Sequence, residues 1–148
     1  MTEPLDAGVL APHRVPLGEL VGDEPAVVVF FKESCGTCQL ALPVFQHWSS
    51  QIKVLGISQD DPATTAAFFD EYAIDMEVAF DGPAFEASAA FDIESVPATF
   101  LIDNGSIEWS TYGWNMDKVS ELSALVGELS GSEPVVVGAE GLPPYRPG

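Results

Sequence analysis

Apolar residues fall in short blocks separated by Pro, Gly and acidic clusters, and the period of each block assigns an element. Ala26–Lys32 (AVVVFFK) is β-branched and aromatic at consecutive positions, which predicts a central strand covered on both faces. From Gly36 to Ser49, Cys38, Ala41, Leu42, Phe45 and Trp48 recur at helical spacing and predict a helix with one apolar stripe. Pro43 lies inside it and, with no N–H to donate, is expected to kink it. Ile52–Ser58 predicts a second strand. Asp61-Pro62 supplies an N-cap and a first helical residue for a helix reaching Tyr72. Glu77–Phe80 predicts a short strand, and Asp81-Gly82-Pro83 opens a further helix ending near Phe91. Ala98–Asp103, the Asn104-Gly105 turn and Ser106–Tyr112 predict a hairpin. Its second strand alternates Ile107, Trp109 and Thr111 with Ser106, Glu108 and Ser110, so one face is the more exposed. Asn115 caps a last helix to Leu129, with Val119, Leu122, Val126 and Leu129 as its buried stripe.

Residues 1–24 are punctuated by Pro and Gly and are expected to be irregular, with one short strand near Val15–Leu20. Residues 130–148 are again rich in Gly and Pro and predict an extended tail, with Pro134–Val137 docked on the domain. No internal repeat is visible. Strand–helix alternation followed by a hairpin and a helix predicts a single α/β domain over residues 1–129. Its expected architecture is three-layered, α/β/α, around a mixed central sheet.

Composition narrows the classes of function. The 148 residues carry 5 Lys+Arg against 23 Asp+Glu, a formal net charge of -18. Such a surface repels phosphate backbones and anionic lipid, so nucleic-acid and membrane partners are not expected. The acid excess reads first as a solubility device; a salt-rich host is the sharper alternative, since lysine is confined to Lys32, Lys53 and Lys118. No segment reaches the ~20 apolar residues that span a bilayer. The opening MTEPLDAGVLAPH has neither a basic nor an apolar leader region, so the expected compartment is the cytosol.

In that compartment the two cysteines, Cys35-Gly36-Thr37-Cys38, read as catalytic or metal-binding rather than as a structural staple. Residues three apart share a helix face, and their Cα separation suits a disulfide, so the pair can open and close without moving the fold. Cys35 falls at a helix N-terminus, where free N–H groups and the dipole favour a thiolate. Cys38 lies one turn in and is expected to be the more buried. Cys35 therefore attacks and Cys38 resolves. Lys32 is placed to help hold the thiolate and Glu33 to oppose it. The alternatives are idle buried thiols or a metal clip; zinc wants four ligands, no second CxxC exists, and His13 and His47 are remote in sequence. No metal or other cofactor is expected. Ser95-Val96-Pro97-Ala98-Thr99-Phe100 also places a proline directly before a strand, which alone reads as an ordinary trans strand-leading residue.

Taken in order and spacing, these pieces resemble the thioredoxin fold: the strand Val27–Phe31, the Cys35–Cys38 motif, Pro43, Val96-Pro97-Ala98-Thr99-Phe100, the hairpin at Gly105 and the Gly113 after it. The opening Ala11-Pro12…Leu17, Gly56-Ile57-Ser58 with Asp60-Asp61, and the extra strand–helix piece Glu77–Phe91 are similar to the TlpA-like and redoxin branch. The likeness covers residues 10–129. It implies a cis Pro97 against the cysteine pair, which would also discourage metal binding. It further implies that Val96 offers its N–H and C=O to an extended substrate segment, with Gly36 and Thr37 also in the substrate-binding surface. The chain departs from the pattern at four positions. Val29 stands where thioredoxins carry a buried acid, Ala41 where some TlpA-like reductases carry Glu, Ser34 where tryptophan is usual, and Thr37 where proline is common. The proton acceptor for Cys38 and the redox potential are therefore left open.

The resulting expectation is a thiol–disulfide oxidoreductase acting as a reductase on protein or small-molecule disulfides and recharged by a thiol donor system. A peroxiredoxin-like thiol peroxidase is the second reading; against it, Lys32 and Val29 occupy the positions three and six before Cys35 where that group places Thr and Pro. A binding module with incidental cysteines is the third, with the acidic surface and the Pro143–Gly148 tail (PPYRPG) as docking features.

Overall fold

In the computed structural model, which describes residues 21–135 and 141–148, the apolar run Ala26–Phe31 forms β1 and is buried at every position. The pleat sends Phe30 and Phe31 to opposite sides of the sheet. Phe30 packs against Phe91 and Phe100 with ring centroids 5.2 and 5.9 Å away. Phe31 packs against Phe68 and Phe69 at 5.9 and 5.8 Å. Burying each such ring contributes about 1.5–3 kcal/mol, which is why a run apolar at successive positions settles in the centre of a covered sheet.

Among the described residues the sheet has five strands in the order β3-β2-β1-β4-β5. β2 (Lys53–Ser58) runs parallel to β1, and β3 (Glu77–Phe80) parallel to β2. β4 (Ala98–Asp103) is antiparallel to β1 and forms the expected hairpin with β5 (Ser106–Tyr112). The sheet is therefore mixed, as expected. Residues 1–20, with the strand expected at Val15–Leu20, and residues 136–140 lie outside the described residues.

Among the described residues four α-helices of the domain pack around it, and three differ in detail from the sequence expectation. α1 (Gly36–Phe45) runs through Pro43 but stops four residues earlier than expected. The chain tightens there into a 3₁₀ turn over Gln46–Ser50, and Trp48 stays buried on the same stripe. α2 (Pro62–Tyr72) matches, with Asp61 Oδ1 accepting the Thr64 N–H at 2.7 Å. α3 is confined to Glu86–Ala90, because Phe85 takes a left-handed backbone (φ 54) that no right-handed helix can include. Asp81 caps it from a distance, its carboxylate accepting the N–H groups of Ala87 and Ser88 at 2.8 Å each. α4 (Met116–Ser130) is capped by Asn115, whose Oδ1 accepts the Lys118 N–H. Leu129 is not part of its buried stripe: it is 40% exposed, while Ser123 and Gly127 are buried. The stripe takes small residues there because residues 132–135 fold back onto α4. A Cβ on Gly127 would fall 2.8 Å from the Ser132 carbonyl, and the Ser123 hydroxyl donates to the Val135 carbonyl at 3.0 Å.

The described end of the tail is ordered against the domain. Trp114–Asn115 (β6) pairs antiparallel with Tyr145–Arg146 (β7). The Trp114 indole N–H donates to the Pro143 carbonyl at 2.7 Å, and the Met116 N–H to the Pro144 carbonyl at 2.8 Å. Among the described residues no helix is long and apolar enough to cross a membrane.

Candidate active site

β1 ends at Phe31, and a short turn returns the chain to Cys35, whose N–H donates to the Lys32 carbonyl at 3.3 Å. The turn is pinned from both sides. The Glu33 N–H donates to Asp60 Oδ2 at 2.6 Å, and the Gln39 side chain donates to the Glu33 carbonyl at 2.9 Å. Cys35 is then the N-cap of α1, in extended backbone (φ -87, ψ 111), and its Sγ accepts the Cys38 N–H at 3.1 Å. A sulfur in this position fills the role that a Ser or Asp oxygen fills at other helix starts. Its thiol proton, when present, points to the Val96 carbonyl at 3.3 Å. The Val96–Pro97 peptide bond is cis, Pro97 is buried, and its carbonyl accepts the Gly113 N–H at 2.8 Å.

Both cysteines are free thiols, and their surroundings differ sharply. The hydrogen bond from the Cys38 side chain, the backbone N–H groups of Cys38 and Thr37, and the charge on Lys32 together lower Cys35 to about 6; burial works in the other direction. Cys38 is fully buried, and that burial, followed by its hydrogen bond to Cys35 and the Cys35 charge, pushes its thiol far above the ordinary range. Cys35 keeps 8% of its surface exposed. One sulfur is thus ionised near neutral pH with a small part of its surface open to solvent, and its neighbour is protonated beneath it.

The exposed part of Cys35 opens into a cleft of about 480 Å³. Lys32, Gly36, Thr37, Glu94, Ser95 and Val96 line it, and Arg146, Pro147 and Gly148 close its far side. The structure thus brings Cys35, Gly36, Thr37 and Val96 to one cleft, with Cys38 beneath Cys35 in the core. His47 sits half-buried on the 3₁₀ turn, and His13 lies outside the described residues. Among the described residues no three His, Cys, Asp or Glu side chains converge as a metal site. Sequence reasoning missed Asp60 and Gln39, whose contacts are tertiary, and read Arg146 and Pro147 only as part of a Pro143–Gly148 docking tail, not as walls of the reaction cleft. The only available signal for the last two was the density of proline in an otherwise loose tail.

A mixed five-stranded sheet, a Cys-x-x-Cys at the β1–α1 junction and a cis proline before β4 define a thioredoxin-fold protein of the redoxin kind. The chain belongs to the AhpC/TSA family, whose model matches residues 9–110. Solved structures agree on the fold. A protein assigned as a thiol:disulfide interchange protein DsbE from Chlorobium tepidum is 23% identical, with a TM-score of 0.72, covering 84% of this chain and 99% of that one. A thiol-disulfide isomerase from Corynebacterium glutamicum is 24% identical (TM-score 0.63, 86% of this chain and 94% of that one). A secreted Mycobacterium tuberculosis disulfide oxidoreductase homologous to E. coli DsbE is 19% identical (TM-score 0.61, 75% and 86%). No curated protein matches the chain.

Proposed function

We propose that this protein is a thiol–disulfide oxidoreductase that reduces disulfides with Cys35 as the attacking and Cys38 as the resolving sulfur. The observation that carries the reading is the split between the two: Cys35 lowered to about 6 at the mouth of a cleft, Cys38 protonated in the core behind it. The Cys35 thiolate attacks one sulfur of a substrate disulfide. The Cys35–substrate bond forms, the substrate S–S bond breaks, and one substrate thiolate leaves. Cys38 then loses its proton and attacks Cys35 Sγ, forming the Cys35–Cys38 disulfide and expelling the second substrate sulfur. Two electrons pass from the pair to the substrate, and a dithiol donor returns them. The substrate enters the cleft beside Gly36, Thr37 and the cis Val96–Pro97 turn, and an extended substrate would use the Val96 main chain as its hydrogen-bonding edge once Pro147 and Gly148 are displaced from it.

Reduction of insulin disulfides in the presence of a thiol donor tests this. Wild type exchanges with a disulfide, polypeptide or small, and Cys35→Ser does not; a wild type inactive on every disulfide offered, or unchanged activity in the variant, overturns the reading. The direction of electron flow follows from the potential of the pair. A value near about -270 mV marks a reductant and one near about -120 mV an oxidant. Peroxide reduction is the second reading, and the AhpC/TSA match favours it. Peroxide consumption no faster than that of a free thiol removes it.

A further inference from the structure

The tail lies where an extended substrate would lie. From Pro143 to Gly148 it runs along β6, crosses Gly113, passes over the motif and ends at Val96. Its contacts are specific. The Thr37 hydroxyl, 3% exposed, donates to the Pro147 carbonyl at 2.6 Å, a bond spanning 110 positions of sequence. Three bare glycines admit it. A Cβ on Gly113 would fall 2.7 Å from the Arg146 carbonyl and 3.1 Å from the Gly148 nitrogen. A Cβ on Gly36 would fall 2.5 Å from an Arg146 guanidinium nitrogen, and one on Gly148 would overlap the Val96 carbonyl. The tail backbone is therefore pressed against the main-chain edge that a substrate strand would use.

What is left beside Cys35 is the 480 Å³ cleft, the size of a small molecule rather than of a polypeptide strand. Its charge is unlike that of the rest of the protein. Of five Lys and Arg in a chain of net charge -18, Lys32 and Arg146 both line it, against Glu94 and the carboxylate of Gly148, so the cleft is balanced in charge where the rest of the protein is strongly acidic. The charge pairs among the described residues are Lys53–Glu77 and Lys118–Glu121, so neither cleft cation is committed to one.

We propose that residues 143–148 form a built-in wall of the reaction cleft which takes the place of an extended substrate strand and, through Arg146, selects small disulfides bearing carboxylates over polypeptide disulfides. The proposal rests on the oxidoreductase reading above and names its substrate class. The chemistry is unchanged: the Cys35 thiolate attacks the small disulfide, one of its sulfurs leaves as a thiolate, and Cys38 displaces the other. A polypeptide must first peel the tail from Thr37 and β6.

The test uses the reduced full chain with three substrates: dithiodipropionate (anionic), cystamine (cationic) and insulin. Each rate is divided by that of free dithiothreitol to remove intrinsic reactivity. The full chain favours dithiodipropionate over cystamine, and Arg146→Gln lowers that preference at least about fivefold, the effect on one substrate alone of one unit charge a few ångströms away in a solvated cleft. Deletion of Tyr145–Gly148 keeps the Pro143 and Pro144 hydrogen bonds to Trp114 and Met116, and so preserves the core. It raises the insulin rate at least about tenfold, because the open groove no longer has to be vacated. If the deletion leaves the insulin rate unchanged, or Arg146→Gln leaves the charge preference unchanged, the inference fails while the oxidoreductase reading stands. No exchange with any of the three substrates overturns both.

Discussion

Replacing Cys38 by Ala removes the largest influence that lowers Cys35, the side-chain hydrogen bond, and keeps the backbone N–H groups of residues 37 and 38. Titration of Cys35 therefore reports how its acidity is built. With a midpoint of about 6, Cys35 is about 90% thiolate at pH 7, whereas an ordinary thiol near ~8.5 is about 3%. The gain in rate is much smaller than that thirtyfold ratio. Intrinsic nucleophilicity falls with basicity by a slope of about 0.4–0.5, so a drop of ~2.5 units takes back about ten- to eighteenfold. A single rate at neutral pH thus separates the cases poorly, and the shape of the profile separates them well. In wild type the alkylation rate of Cys35 is half-maximal near about 6 and flat above about pH 7. In Cys38→Ala the midpoint moves up, towards the ordinary thiol, and the limiting rate at high pH rises with it. Ultraviolet absorbance of the thiolate gives the same midpoints without reagent access as a variable. A wild-type midpoint at that of free cysteine, or no movement in Cys38→Ala, refutes the assignment of the low value to the neighbouring thiol.

Two further substitutions test the frame around the site. Asp81→Ala leaves the N–H groups of Ala87 and Ser88 without their buried acceptor, and is expected to cost about 1–3 kcal/mol in a denaturant melt. Gly113→Ala forces a side chain onto a backbone at φ +68 and against the Arg146 carbonyl. It is expected to cost about 1–2 kcal/mol and to release the tail, seen as faster proteolysis after residue 141.

The parts of this fold that were legible in advance are those decided by short-range pattern. β1 shows as a continuous apolar run because both its faces are buried; the β4–β5 hairpin shows because Asn104-Gly105 leaves few alternatives to a tight turn. The Asp61-Pro62 helix start was equally local. The differences arise where distant chain intervenes. Gly127 and Ser123 are buried under residues 132–135, and that return, which periodicity cannot see, shifts the buried face of α4 away from Leu129. Phe85 adopts a left-handed backbone that its residue type does not advertise, so α3 begins later than its composition suggests. The cysteine pair was visible as spacing, but its unequal environment depends on the burial of Cys38 and on Val96, which is 61 positions from Cys35. The tail was read as loose chain or as a docking feature for partners, and not as part of the site, because its own contacts, Trp114, Thr37 and Gly113, are all supplied by the folded domain.

The same inequality that makes Cys35 reactive makes the second step demanding. Cys38 is fully buried, and Val29 and Ala41, which occupy the positions where related patterns carry an acid, are fully buried too and have nothing to ionise. Forming the mixed disulfide removes the Cys35 charge and hydrogen bond from the causes that raise Cys38, yet burial, the largest of them, persists. The resolving thiol therefore stays well above neutral with no carboxylate at either position to take its proton. Its thiolate fraction, and with it the closure rate, should rise about tenfold per pH unit throughout the neutral range. The sign is that of a thiol raised by folding: protonated at low pH, released as pH increases. Loading Cys35 with a nitrothiobenzoate group and following the coloured thiolate expelled by Cys38 measures this step alone, and Cys38→Ser supplies the zero-rate control. A closure rate that levels off near neutral pH would mean that a base not among these residues takes the proton, and the account of Cys38 as an isolated buried thiol would be wrong.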